Sequence, residues 1–182
     1  MILRLILGFL LVAPVAVGAI FLDPNSAFQL TYDPQAWRLA PAAKDKDVPA
    51  SYQTVVTIEK IASEDGYHAR FSVVRDVIQK KQAAVDLLLQ YGMKKALPFL
   101  EAQGFLIQLS GVRQPKERIT LKKWPAPAFE ILASHQHYDL TVHQWILLQG
   151  DFCYLLTAAA KIKRYALQKV ELDAFFESVS FP

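Results

Sequence analysis

Apolar and polar positions change period several times along the chain, and each change predicts an element. FQLTYDPQAW sets Phe28, Leu30 and Tyr32 at alternate positions, the period of a half-buried strand, and Asp33-Pro34 stops it. RLAPAAKDKDVPAS has no apolar period and carries Pro41 and Pro49, so residues 39–51 read as a mobile surface loop that buries little. Two β-rich runs, residues 52–62 and 67–78, flank the turn-forming Ser63-Glu64-Asp65-Gly66 and predict an antiparallel hairpin. From Lys80 the step lengthens: Ala84, Val85, Leu88, Leu89, Gly92, Ala96, Phe99 and Leu100 predict an amphipathic helix over residues 80–103, with Gly104 as its C-cap. Pro98 has no N–H to give, so a kink or a fresh short helix is expected there. Phe105–Leu109, Arg118–Lys123, Ala128–His137, Asp139–Leu148 and Phe152–Thr157 then read as the strands of a meander, the last one following the turn Gln149-Gly150-Asp151. VELDAFFESVSF puts Leu172, Phe175, Phe176 and Val179 on one helical side and predicts a short closing helix after a linker. Leu88, Phe99 and Phe176 are the expected buried contacts between these helices and the sheet.

The first residues follow a different logic. MILRLILGFLLVAPVAVGAIFL has one charge, Arg4, then an acid-free apolar run Leu5–Leu22 with small residues at Gly18 and Ala19. Two readings stand. The layout is that of a secretory signal cleaved after Ala19; the run of 18 residues also reaches the lower end of the about 17–25 needed to span a bilayer as an uncleaved tether over residues 5–22. Pro14 is tolerated in membrane helices and decides neither. The domain division is therefore 1–19 as signal peptide or N-terminal anchor and 20–182 as a single domain. Both readings place that domain outside the cytoplasm, periplasmic or secreted, or held at the inner membrane. Cys153 is the only cysteine, which excludes an amino-terminal lipoprotein anchor and any intramolecular disulfide, so the core alone must hold the domain.

Composition narrows the function classes. With 53% hydrophobic and 20% charged residues in 182, the chain suffices for one packed domain and is too apolar for disorder. The net charge of +3 and the dispersed doublets Lys80-Lys81, Lys94-Lys95 and Lys122-Lys123 make no basic stripe, so nucleic acid is not an expected partner. No GxGxxG or GxxxxGK[ST] run follows a strand, and Ser110-Gly111 lacks the flanks of a GxSxG elbow, so no cofactor and no catalytic residue is assigned. Cys153, inside FCYLL, reads as a core thiol.

SHQHYDLTVHQW places His135, His137 and His143 within nine positions. A three-residue loop centred on Asp139 would set all three on one sheet face as candidate metal ligands. A two-residue loop at Tyr138-Asp139 would split them between faces. Metal ligation needs three or four converging donors, and HxH supplies two, so the favoured reading is solvent-face histidines that bind nothing, with a metal-binding or enzymatic site as the rival. Trp37 and Trp145 read as packing residues. Trp124 in KKWPAP, beside Lys122 and Lys123, is the candidate interaction residue.

Two phrases carry a family likeness. FQLTYDPQAW resembles the opening of the PsbP-like superfamily, where an alternating strand leads through a Pro to a Trp. FCYLLTAAAKIKRYALQKVELDAFFESVSF is similar to its close, a strand with a Tyr-x-Leu-Thr-like phrase and a short helix ending in Ser-Phe. The likeness covers residues 28–181 and extends distantly to exported DcrB-like envelope proteins, from which this chain departs in lacking a lipobox cysteine. It implies an α+β fold, an α/β/α sandwich around a central antiparallel β-sheet. It also implies a non-enzymatic binding or assembly role, here with an envelope protein as the expected partner; a small-ligand carrier is a separate alternative. No catalytic residue set carries over.

Overall fold

The computed structural model describes residues 18–23, 28–41, 52–63, 65–78, 84–113 and 127–180. Nine strands and three helices are placed in them. The strands are β1 (Ala19–Leu22), β2 (Gln29–Tyr32), β3 (Trp37–Leu39), β4 (Tyr52–Lys60), β5 (Arg70–Val77), β6 (Leu106–Arg113), β7 (Ala128–His135), β8 (Leu140–Gln149) and β9 (Phe152–Lys161). The helices are α1 (Ala84–Tyr91), which runs through a π-helical turn Gly92–Ala96 into α2 (Leu97–Ala102), and α3 (Ile162–Ser178).

β3 to β9 make one antiparallel sheet in the order β3-β4-β5-β9-β8-β7-β6, so the last strand of the chain lies at the middle of the sheet. Side chains alternate across it and fill two separate cores. One, under α3 and the β1–β2 hairpin, gathers Phe28, Leu30, Trp37, Ile58, Phe71, Tyr154, Leu156, Leu172, Phe175 and Phe176. The other, under α1 and α2, gathers Leu87, Leu88, Leu100, Phe129, Ile131, Ala133, Ile146 and Cys153. This is the α/β/α sandwich expected from the sequence, with a β-hairpin completing one outer layer. On β9, Ala158 and Ala160 are fully buried beneath α3; their small size lets the helix approach the sheet closely.

Several elements differ from the sequence expectation. Ala19–Leu22, read as the end of the apolar leader, pairs in register with Gln29–Tyr32 as β1. β3 occupies Trp37–Leu39 at the start of the expected loop, where Trp37 buries its ring; the rest of that loop, residues 42–51, lies outside the described residues. So do residues 118–123, expected as a strand, and residues 1–17 of the leader. The closing helix begins at Ile162, eight residues before the expected Val170, and no linker separates it from β9. The buried face runs Tyr165, Gln168, Leu172, Phe175 and Phe176; the polar Gln168 in that stripe hides the helical period from an apolar-only reading.

The helical segment 84–102 shows why Phe99 is not buried. Leu97 N–H bonds to the Gly92 carbonyl, a five-residue step that inserts one extra residue before Pro98, which then sits without cost in the first turn of α2. The insertion rotates the apolar face by one position: Leu88 and Leu100 are buried, and Phe99 is 65% exposed. Gly92 is required at the turn, since a Cβ there would lie 2.3 Å from the Phe129 ring. Gly104, at φ +84°, caps the end as expected.

These placements set opposite expectations for two phenylalanines. Phe176→Ala should cost about 3–5 kcal/mol, the range for a fully buried ring, while Phe99→Ala should stay within about 0.5 kcal/mol. Urea unfolding of the two variants measures both; equal losses would contradict the π-turn phase shift.

Candidate functional site

The turn between β7 and β8 decides the fate of the histidines. It spans four residues, Gln136 to Asp139, with Asp139 in the left-handed region at φ 52°. His135 pairs with Leu140 and Leu132 with His143, so His135 and His143 point to opposite faces. The two-face outcome of the register argument is the one realised, through a longer turn. The reading of exposed histidines is corrected for two of the three. His135 and His143 are buried, because this sheet is covered on both faces; His137, in the turn, is exposed. His135 Nδ1 accepts from the Tyr138 N–H at 3.3 Å and its ring lies edge-on to Phe105. Among the described residues, no group of three or more His, Cys, Asp or Glu is placed to hold a metal ion.

His143 instead belongs to a polar cluster beneath α3 that the sequence reading missed. Its Nε2 lies 2.7 Å from Glu130 Oε1 and 3.2 Å from the Trp145 indole nitrogen. One nitrogen cannot donate to the carboxylate and accept from the indole together. The shorter, charge-assisted contact governs, so Nε2–H donates to Glu130. On the other side Nδ1 faces Asp173 Oδ1 at 3.7 Å, both atoms buried and neither hydrogen-bonded. Asp173 is held in turn by Lys169 one helical turn earlier. Burial raises the Tyr165 phenol, and the Asp173 and Glu130 carboxylates raise it further, so it stays neutral. Phe176 stacks on Trp145 with centroids 4.7 Å apart and closes the cluster toward the core. The Glu130–His143 contact joins β7 to β8 beneath α3, with Asp173 of the helix facing the same imidazole. Glu130, a lone acid at an inward position of the apolar AFEILA, was its only signal in the sequence.

A second polar set lies across the β5 end of the sheet. The Arg75 guanidinium reaches Gln53 Oε1 at 2.7 Å and Asp23 Oδ2 at 3.5 Å, and lies over the Phe152 ring. Asp76, on the opposite face, accepts from the Tyr91 hydroxyl at 3.1 Å. Cys153 is buried beside it, and burial, followed by the Asp76 charge, pushes its thiol up to about 12. The core-thiol reading therefore stands.

Among the described residues, His135, His143, Asp76 and Cys153 are thus enclosed, while the exposed surface is apolar in unusual places. Val85, Leu89, Met93 and Phe99 stand out along α1, the π-turn and α2; Leu167 and Val170 stand out on α3. Trp124, Lys122 and Lys123, the interaction residues expected from the sequence, lie outside the described residues.

No family model matches the sequence, and no curated protein does. Among solved structures, the chain is similar to the cyanobacterial PsbP, CyanoP, of Synechocystis sp. PCC 6803, with a TM-score of 0.65, 13% identity, and coverage of 97% of this chain and 99% of that one. It is also similar to LpqN of Mycobacterium tuberculosis, a protein involved in cell envelope biogenesis, with a TM-score of 0.56, 12% identity, and coverage of 94% and 88%. At these identities the likeness defines the fold: the chain has the PsbP-like architecture over nearly its whole length.

Two measurements probe the enclosed groups. Glu130→Gln keeps the volume but removes the charge facing His143, and should cost about 1–3 kcal/mol in urea unfolding, whereas His137→Ala should be within about 0.5 kcal/mol of the parent. The Cys153 thiol should resist iodoacetamide at pH 8 in the folded chain and react once urea unfolds it. Its folded pKa lies above its ordinary value of 9.0, so the stability it contributes is fully present below pH 9 and is lost as pH rises toward 12.

Proposed function

We propose that the protein is an exported, non-enzymatic binding or assembly module of the cell envelope. The observation that carries this reading is the inversion of the usual surface: titratable groups with unusual neighbours are sealed in the sandwich, and large apolar side chains, Met93 at 57% and Phe99 at 65% exposure among them, are left outside. A surface of that kind fits a partner rather than a reaction. The leader sequence supports the address, and the shared architecture with an envelope-biogenesis protein agrees with it. The metal-dependent alternative loses its geometry, since His135 and His143 face opposite ways.

Export by cleavage after Ala19 is compatible with the fold, because Ile20–Leu22 would keep three of the four β1–β2 pairs. A tether over residues 5–22 would share Ala19–Leu22 with β1. Among the described residues, no helix is long and apolar enough to cross a membrane.

Photo-crosslinking residues placed at Met93, Phe99 and Trp124 test the proposal in the native envelope. Discrete adducts with one envelope protein are expected from at least one position, on a chain whose N-terminus is Ile20. A chain recovered from the cytoplasm, or an envelope chain that yields no adduct at any of the three, would contradict it.

A further inference from the structure

Beneath α3, two buried acceptor atoms face each other with no hydrogen between them. His143 Nδ1 and Asp173 Oδ1 are 3.7 Å apart, both are buried, and neither has a hydrogen-bond partner. A neutral imidazole that gives its one proton to Glu130 through Nε2 presents a bare lone pair at Nδ1, and the Asp173 carboxylate presents another. Such an arrangement costs free energy, because each atom has lost its water and gained no donor. One proton removes the conflict. An imidazolium has a donor on each nitrogen, and its Nδ1–H is then aimed at Asp173.

The groups around this imidazole come from four elements. β7 supplies Glu130, 2.7 Å from Nε2, and β8 itself supplies the Trp145 indole at 3.2 Å. β9 supplies Ala158, the ladder partner of His143, which carries no charge. α3 supplies Asp173, and Lys169 bound to the other oxygen of that carboxylate, Oδ2. It also places Tyr165 and Phe176 with ring centroids 6.5 and 4.9 Å from the imidazole. Tyr165 keeps its proton and adds no charge, while Arg164 and Gln168 of the helix and Glu130 of the sheet are engaged in further contacts. Burial opposes a charge on the ring, and a carboxylate at each nitrogen favours it. Of the two carboxylates only Asp173 belongs to the helix, so only its contact couples a proton on His143 to the seating of α3.

We propose that His143 is a proton-operated clasp between the sheet and α3: a proton taken from solvent at Nδ1 makes an Nδ1–H hydrogen bond to Asp173 Oδ1, and its loss leaves the helix held by aromatic packing and its remaining contacts. The sign follows from linkage. Asp173 favours the protonated ring in the folded chain and has no such hold on it in the unfolded one. The stability that Asp173 contributes through His143 is therefore full at the acid end of the imidazole range and is lost as pH rises through it. The other buried histidine works the opposite way, since His135 Nδ1 already accepts from the Tyr138 N–H and a proton there would break a hydrogen bond. The clasp is a property of the fold and does not depend on export or on any partner.

Asp173→Asn keeps the shape of the side chain and removes its charge. Urea unfolding of the full-length parent and of Asp173→Asn, at about pH 5.5 and about pH 8 on either side of the imidazole range, reads the clasp as a difference between two differences. The factor by which the substitution raises the unfolding constant should be about tenfold larger at the lower pH. His68, His135 and His137 titrate in both chains and drop out. An equal factor at the two pH values would assign the loss to the Lys169 contact alone and overturn the proposal. The folded state gives a second readout, through proton–nitrogen NMR spectra of chains isotope-labelled at the histidine nitrogens. At the lower pH the parent should show hydrogens on both nitrogens of His143, and Asp173→Asn should lower the pH at which Nδ1 gains its hydrogen. A parent whose Nδ1 stays bare at the lower pH, as when a buried water or the Tyr165 hydroxyl is the donor, overturns the clasp even if Asp173→Asn fails to fold.

Discussion

The seating of Phe175 and Phe176 on the sheet is the contact from which the rest of the structure follows. Phe175 stacks on Phe71 with centroids 5.0 Å apart and meets Trp37 edge-on at 4.7 Å; Phe176 meets Phe71 edge-on and stacks on Trp145. Two adjacent residues of the last helix thereby hold β3, β5 and β8, which come from three separate parts of the chain. The strand that delivers this helix, β9, sits between β5 and β8, so the sheet is incomplete until residues 152–161 are in place. Such a topology closes through long-range pairings and carries the entropy cost of large loops before its core is formed. It also explains the composition of β9: alanines under the helix, and larger residues where β9 meets the hairpin and α1.

The buried polar groups make sense in the same frame. The Glu130–His143 hydrogen bond joins β7 to β8 directly beneath α3, and Asp173 of the helix faces the same imidazole at 3.7 Å. It resembles a relay in composition and lies covered below α3. Burial has done the same to Cys153. His143 and Cys153, which would suggest chemistry to a reader of the sequence, are both withdrawn from solvent by the fold.

Much of the architecture was legible because its causes are local. The β4–β5 hairpin, the β7–β8–β9 meander, Gly104 as a cap and the burial of Leu88 and Phe176 follow from period, turn chemistry and branching. The misreadings share a different cause, a side chain whose environment is set from far along the chain. Gln168 is buried in a helical stripe although polar; Phe99 is exposed because a π-turn, enforced by the Phe129 ring against Gly92, shifts the phase; β1 has no alternation of its own to separate it from the apolar leader and is defined by pairing with β2. The histidine question was posed correctly by the sequence, as a matter of register, and its answer lay in a four-residue turn with a left-handed Asp139. That the histidine faces would be covered rather than wet could only come from the helices on both sides.

Hydroxyl-radical footprinting of the intact chain, resolved by residue in a mass spectrometer, tests the central claim that α3 docks through its aromatic pair and presents its aliphatic side outward. The account predicts rapid oxidation at Leu167, Met93 and Phe99 and strong protection at Phe176, Phe71 and Trp37. Phe176 oxidised as fast as Phe99 would mean that the helix is not seated on the sheet, and the account would fail with it.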